Sequence, residues 1–142
     1  MEKGLKLEKC HNANNVTSEP FKQLLGSLMY IMVGTRPELC YAVSYFAQFQ
    51  AIPTHEHFTY LKRVLRYLAG TANFKLVYKD FSDVVIVGYC DSDFANESDR
   101  RSISGGLVKI FNCITYWKSK KHTMVALSST AAEYIALCNS AC

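Results

Sequence analysis

The chain has 142 residues, of which 49% are hydrophobic and 13% aromatic, and its formal net charge is +4. This composition excludes a disordered or collagen-like chain and predicts packed cores in one ordinary domain or two small ones. No apolar run approaches the roughly 20 residues that span a bilayer, and the first residues lack an apolar stretch of signal-peptide length. We therefore expect an intracellular, cytoplasmic chain without a membrane partner.

Helical periodicity dominates the first half of the chain. Residues 1–17 are polar and aperiodic, which predicts a loose tail. Helices are then predicted from about residue 18 to Gly34, from the Thr35-x-x-Glu38 capping box to about residue 51, and from Thr54 to Gly70. We expect these helices to form one small helical segment over residues 18–72.

The third predicted helix begins with two histidines, His55 and His57. Residues two apart do not share a helix face, so this spacing favours a polar first turn over a metal-ligand pair. Further along the helix, Phe58, Leu61, Leu65 and Leu68 are predicted to be its buried stripe.

The period changes from helix to strand near residue 73, where the second domain, residues 73–142, is predicted to begin. Strands are predicted over residues 74–79, 84–90, 103–111 and 114–117, followed by a basic loop and a closing helix. The near-continuous apolar run at residues 84–90 is typical of a strand covered on both faces. In the closing helix, the predicted buried stripe is Ala131, Tyr134, Ile135, Cys138 and Ala141.

Acidic residues are unevenly placed in this second part. Asp91 and Asp93 close the predicted apolar strand, and Glu133 on the closing helix is the only acidic side chain after Asp99. Two Mg²⁺ ions about 4 Å apart need carboxylates from separate elements, so a strand-end aspartate facing a helix glutamate indicates a nuclease site. The residues also fit simpler roles. Glu133 fits a capping box with Thr130, and the aspartates suit a solvated turn.

Basic residues flank the acidic stretch on both sides. This basic–acidic–basic order suits a cation site between phosphate-binding surfaces, although solvated surface charge explains it equally well. The candidate nucleic-acid-binding residues are Lys62, Arg63, Arg66, Arg100, Arg101, Lys118, Lys120 and Lys121.

Several blocks of the chain together resemble the C-terminal region of copia-type retrotransposon Pol polyproteins. They are FKQLLGSLMY (21–30), GTRPE (34–38), KRVLRYLAGT (62–71), GYCDSDFA (88–95), DRRSISG (99–105), WKSKK (117–121) and ALSSTAAEY (126–134). In that family the region joins the end of reverse transcriptase to a ribonuclease H domain. The resemblance implies that Asp91 matches the first catalytic aspartate and Glu133 the helix glutamate. Apart from the resemblance, Asp93 lies two residues after Asp91 and is predicted to share its face as a further acid near the metal. The chain departs from the family at Phe94, Asn96 and Gly106, where Trp, Asp and an aromatic residue are usual.

The resemblance also implies a fold. We expect an α+β or α/β chain, in which a small helical segment precedes a truncated ribonuclease H-like mixed sheet with one packing helix. In the family, a parallel strand that follows the Glu133 helix pairs with the strand at residues 84–90. Because no such strand lies before Cys142, the edge at residues 84–87 is expected to be exposed and prone to association.

The implied activity is Mg²⁺-dependent hydrolysis of RNA in RNA–DNA hybrids by the parent Pol protein, inside virus-like particles. The remaining catalytic acids would lie beyond Cys142, so the chain alone is expected to be an inactive fragment. Its expected partners are nucleic acid and the remainder of the Pol polyprotein. The alternative is a non-catalytic remnant that binds nucleic acid through its basic surfaces.

Overall fold

The computed structural model describes residues 7–10, 16–79, 85–95 and 99–141. The chain divides into two compact units, Met1–Lys75 and Leu76–Cys142. None of the described helices combines the length and apolar character needed to cross a membrane.

The first unit is a small helical bundle. Helix α1 (Phe21–Gly34) is followed by a 3₁₀ turn (Pro37–Leu39), helix α2 (Cys40–Ala47) and helix α3 (His55–Gly70). Each helix contributes an apolar stripe to one shared core, as its 3.6-residue period predicts. The most buried apolar side chains of this core are Phe21, Leu25, Leu28, Val43, Phe46 and Leu61.

The helices differ from the prediction at two places. Helix α2 ends at Ala47 rather than near residue 51, because Phe49 turns inward and stacks on His57 with ring centroids 4.2 Å apart. On α3 the buried stripe passes through Val64, whereas Leu65 is 40% exposed. The buried stripe is thus shifted by one residue from the predicted one. Such a shift corresponds to a small rotation of the helix about its axis, which the hydrophobic period of the sequence does not resolve.

The predicted Thr35 capping box is not formed. Contacts of the Arg36 side chain hold the connection between α1 and α2 instead. The side chain of Arg36 is buried and its Nε donates to Glu38. A terminal nitrogen of the guanidinium donates to Thr71 Oγ1 at 2.5 Å, and its carbon lies 5.8 Å from the Tyr67 ring centroid. Arg36 therefore ties this connection to the C-terminal end of α3.

Part of the predicted loose tail packs on the helical core. Leu7 contacts the core, and its N–H donates to Tyr45 Oη at 2.8 Å. The carbonyl of Glu8 lies 3.1 Å from His57 Nε2, and the N–H of Thr17 donates to a carbonyl of the α2–α3 connection at 2.8 Å. This packing could not be predicted from the polar composition of the segment, because its contacts are made by one apolar side chain and by backbone groups. Residues 1–6 and 11–15 lie outside the described residues.

The second unit is a three-stranded sheet with one helix. Strands β1 (Ile86–Ser92), β2 (Ile103–Ile110) and β3 (Cys113–Lys121) pair in that order, and helix α4 (Ser129–Ala141) follows. The predicted combination of helices and sheet is confirmed. All strand pairs among the described residues are antiparallel, whereas a mixed sheet was predicted.

The strand boundaries also differ from the prediction. The predicted basic loop at residues 118–121 is the end of β3, since Lys118 pairs with Gly106 and Lys120 with Ser104. The turn before β3 consists of Phe111 and Asn112, both with positive φ, the conformation that a tight hairpin needs.

Residues 74–79, predicted as a strand, form no ladder. Tyr78 Oη instead donates to the Ile114 carbonyl at 2.9 Å, and the Lys79 N–H donates to Cys113 Sγ. Tyr78 and Lys79 thus contact the start of β3 individually and do not pair with it as a strand.

Strand β1 has one open edge within the described part of the chain, where it pairs with β2 alone. Ile86 is 68% exposed and Tyr89 is 54% exposed. The predicted burial on both faces is therefore not observed, whereas the exposed edge expected from the resemblance is. Val84, the first residue of the predicted strand, lies outside the described residues.

Helix α4 packs closely on one face of the sheet through small residues. A Cβ atom added at Gly106 would lie 2.7 Å from Ser140 Oγ. Ala132 and Ala136 are fully buried, whereas Tyr134 of the predicted stripe is 68% exposed. The helix therefore turns its small side chains to the sheet, because only these permit this approach.

We expect Gly106→Val to lower the free energy of unfolding by about 1–3 kcal/mol, the usual cost of overpacking. The matched control is Gly105→Val on the same strand, where an added Cβ has no neighbour within 4 Å among the described residues. Urea denaturation followed by circular dichroism measures both. Equal stability of the two variants would contradict the proposed close packing of α4.

Candidate nuclease and nucleic-acid site

Helix α4 brings Glu133 to the end of β1. Its Oε1 atom accepts a hydrogen bond of 3.4 Å from the backbone N–H of Ser92, which directly follows Asp91. The structure therefore brings the glutamate of the closing helix to the backbone of the residue that follows the predicted catalytic aspartate. Sequence reasoning missed Ser92, because it takes part through its backbone and no residue type indicates such a contact.

Asp91 is exposed and lies on the other face of the sheet from α4. It pairs with Gly105, and paired residues of an antiparallel sheet share a face. Gly106, its neighbour in β2, points to the face that α4 covers. The predicted arrangement, in which the strand-end aspartate faces the helix glutamate across one face of the sheet, is therefore not observed. Glu133 reaches the open edge of β1 at Ser92, whereas Asp91 lies on the face away from α4.

The capping box predicted for Thr130 and Glu133 is not what begins α4. The hydroxyl of Ser128 accepts a hydrogen bond of 3.1 Å from the N–H of Ala131, which places the cap two residues earlier. The carboxylate of Glu133 faces β1 instead of the helix start. The capping role therefore does not account for this acid.

Asp93 is engaged within the fold. Its Oδ1 accepts from the backbone N–H of Ile103 at 2.5 Å, and its own N–H donates to the Ile103 carbonyl at 3.2 Å. In the described part of the chain, no three acidic, histidine or cysteine side chains are grouped so that they could hold a metal ion. The three predicted acids are thus neighbours in the fold without forming a three-ligand site there.

Two basic residues of α3, Lys62 and Arg63, lie beside aromatic rings. Lys62 Nζ lies 4.7 Å from the Phe58 ring centroid and 4.0 Å from Glu19 Oε1, and Arg63 lies 4.7 Å from the Tyr60 ring centroid. Arg63 and Arg66 are exposed. A basic helix face with aromatic side chains can contact phosphates and bases of a nucleic acid.

The basic residues of the second unit are divided between two faces. Lys118 and Lys120 are two positions apart on β3, so both lie on the face of the sheet that α4 covers. Lys121 is the next residue along and lies on the opposite face. Arg100 and Arg101 are exposed in the segment before β2. The sequence predicted that these lysines belong to one basic loop. In the structure they belong to a strand, whose side chains point alternately to opposite faces of the sheet.

Asp99 partly neutralises this second group. Its carboxylate lies 3.0 Å from Lys121 Nζ and 3.7 Å from Arg101 Nε. Partial burial raises the pKa of Asp99, but the hydrogen bonds from Lys121 and the Arg101 N–H, with both positive charges, offset this and hold the pKa below its ordinary 3.8. In this second unit, Lys121 and Arg101 therefore carry a competing internal partner.

Comparison with known proteins places this chain among proteins of transposable elements. It is 42% identical over 123 residues to the retrovirus-related Pol polyprotein from transposon TNT 1-94 of Nicotiana tabacum. It is 40% identical over 120 residues to the corresponding protein from transposon RE1 of Arabidopsis thaliana. These alignments cover 86% and 84% of this chain but 9% and 8% of the polyproteins.

A shorter relative matches over most of its own length. The protein named secreted RxLR effector protein 161 of Plasmopara viticola is 44% identical over 119 residues, which are 83% of this chain and 84% of that protein. No family model and no solved structure matches the chain. The chain belongs to the family of copia-type retrotransposon Pol polyproteins.

Proposed function

We propose that this chain carries part of a ribonuclease H-type nuclease site of a Pol polyprotein, with Asp91 and Glu133 as its acids. The observation that carries the proposal is the hydrogen bond between Glu133 and the Ser92 N–H, one residue from Asp91. The family supports it, since Pol polyproteins are the relatives over most of this chain. The proposed substrate is RNA in an RNA–DNA hybrid.

Two carboxylates suit a Mg²⁺ ion better than a structural metal ion, which needs all of its ligands from the protein. Mg²⁺ is commonly held by one or two carboxylates, with water and substrate phosphate oxygens completing its coordination. Asp91 and Glu133 would hold it at the open edge of β1. When bound, the ion would activate water and stabilise charge on the phosphate. The Ser92 N–H orients the carboxylate of Glu133, which leaves its other oxygen available.

The basic residues are proposed to hold the nucleic acid in the two units separately. Lys62, Arg63 and Arg66 supply positive charge on α3, where Lys62 and Arg63 lie beside aromatic rings. Lys118 and Lys120 supply it on the face of the sheet that α4 covers. Contacts of this kind are sequence-independent and weaken as salt rises, because binding releases counterions. The remainder of the Pol polyprotein is the proposed protein partner.

Mg²⁺ titration of the isotopically labelled chain tests the metal proposal. We expect weak, saturable shifts of the NMR signals of Asp91, Ser92 and Glu133, and their loss in Asp91→Asn and Glu133→Gln. Asp99→Asn is the matched control, because it removes an acid of the same unit that pairs with Lys121 instead. A wild-type chain whose signals do not respond to Mg²⁺ would refute the proposal.

A cleavage assay on an RNA–DNA hybrid accompanies this titration. We propose that the 142-residue chain alone does not cut, because its described residues group fewer than three candidate metal ligands. The same observation favours the alternative function, nucleic-acid binding without catalysis. Hybrid binding without any Mg²⁺ response would support that alternative, and Mg²⁺-dependent cleavage by the chain alone would contradict the proposed inactivity.

A further inference from the structure

The segment after β1 is fastened to the start of β2 by the side chain of Asp93. In a regular ladder, a backbone carbonyl would accept the hydrogen bond from the Ile103 N–H. Here Asp93 Oδ1 accepts it at 2.5 Å, while the Asp93 carbonyl accepts from Ser92 Oγ at 3.2 Å. The Asp93 N–H completes the pair by donating to the Ile103 carbonyl. The carboxylate thus extends the β1–β2 pairing beyond Ser92.

Buried polar groups continue this fastening toward β3. Ser102 is fully buried, its hydroxyl accepts from the Ala95 N–H at 3.2 Å, and its carbonyl accepts from the His122 N–H at 2.8 Å. The Ser104 hydroxyl lies 2.5 Å from His122 Nε2, and both side chains are buried. We call Asp93, Ala95, Ser102, Ser104 and His122 the strand-end clasp. The clasp joins all three strands at the end where Asp91 lies.

We infer that Asp93 is a positioning residue of the proposed metal site rather than a metal ligand, an inference that rests on the proposed function. Ser92, whose N–H meets Glu133, lies between two residues paired to β2: Asp91 opposite Gly105, and Asp93 on Ile103. Pairing on both sides fixes the direction of the Ser92 N–H. Removal of the hydrogen bond from Ile103 to Asp93 frees the end of β1 and disturbs the hydrogen bond between Ser92 and Glu133.

The two roles of Asp93 demand different chemistry. Holding the Ile103 N–H needs only an oxygen acceptor, which an asparagine amide supplies in the same position. Binding Mg²⁺ favours the negative charge, which asparagine lacks. Asp93→Asn therefore keeps the clasp and removes a ligand, whereas Asp93→Ala removes both.

Hydrogen exchange and Mg²⁺ titration of the full chain, both followed by NMR, test the inference. We expect the Ser92 and Ile103 amides to exchange about tenfold faster in Asp93→Ala, the factor that loss of one hydrogen bond produces. In Asp93→Asn, exchange and the Mg²⁺ response should remain close to wild type. Asp91→Asn should keep slow exchange at Ile103 and lose the Mg²⁺ response.

Three outcomes separate the possibilities. Loss of the Mg²⁺ response in Asp93→Asn, with Ile103 exchange unchanged, would make Asp93 a ligand and overturn the inference. Unchanged Ser92 exchange in Asp93→Ala would overturn it as well. A wild-type chain without any Mg²⁺ response would refute the proposed nuclease site alone, because the exchange rates at Ser92 still decide whether Asp93 positions the strand end.

Discussion

Replacement of Lys62, Arg63 and Arg66 by glutamine together is expected to weaken binding to an RNA–DNA hybrid at low salt, by about tenfold for each phosphate interaction that the variant removes. The salt dependence should fall in parallel, with a slope of log K against log salt reduced by about 1 for each such interaction. The reason is that these side chains belong to one helix, on which Lys62 and Arg63 lie beside aromatic rings. Fluorescence anisotropy at several salt concentrations measures both quantities.

The matched control for this variant removes equal charge elsewhere. Lys22, Lys75 and Lys79 are exposed and lie outside the predicted nucleic-acid-binding residues. Their replacement by glutamine should leave most of the affinity intact. An equal reduction of affinity in both triple variants would show that net charge alone drives binding and would contradict a binding surface on α3.

Replacement of His57 by alanine is expected to cost about 3 kcal/mol or more of stability in the first unit, the cost of deleting a buried aromatic ring and a helix cap. His57 Nδ1 accepts from the Thr54 N–H, and the Thr54 hydroxyl accepts from the His57 N–H. Nε2 donates to the Glu8 carbonyl, and the ring stacks on Phe49. Thermal unfolding followed by circular dichroism measures the decrease in stability.

The same geometry predicts a pH dependence of folding. Burial lowers the pKa of His57 below 6.5, although the Glu8 carbonyl and the charge of Glu56 oppose this. The neutral ring is the form that accepts from Thr54, so the unfolded chain binds the proton more readily. The contribution of His57 to stability is therefore full above pH 6.5 and is lost as the pH falls from 6.5 toward the lowered pKa.

His57→Gln and His55→Gln separate this effect from other titrations. Glutamine at position 57 keeps an acceptor for the capping box but does not titrate, so its unfolding should vary less with pH below 6.5. His55 is an exposed histidine of the same helix that lies beside Glu19 and makes no part of the cap, so its replacement should leave the wild-type dependence. An identical pH profile in wild type and His57→Gln would contradict the assignment.

Local features of the chain were predictable where residues close together in the sequence determine them. Thr54 caps α3 as the sequence indicated, because a cap is made within a few residues. The turn of the β2–β3 hairpin was predicted within a residue, since it follows directly from its flanking strands, whereas β3 continues four residues beyond its predicted end. The start of α2 was not, because Arg36 forms its bonds with Thr71, thirty-five positions away.

The candidate site shows the same division. Asp91 and Glu133 are predicted as site residues by sequence pattern and by resemblance, and the structure places the Glu133 carboxylate at the Ser92 N–H. The position of Asp91 on the face away from α4 depends on the register of β1. A shift of one residue in that register would move its side chain to the opposite face. The separation of Lys121 from Lys118 and Lys120 has the same cause.

The sequence by itself determined the helical and strand periods, the family and the two acids on which the proposed function depends. Only the tertiary structure decided which face each charged side chain occupies, and that Asp93 holds Ile103 rather than standing free. The physical reason is that periods and caps arise from neighbours in the chain. Register, close packing at Gly106 and the hydrogen bond between Glu133 and Ser92 arise between segments that meet only when the chain folds.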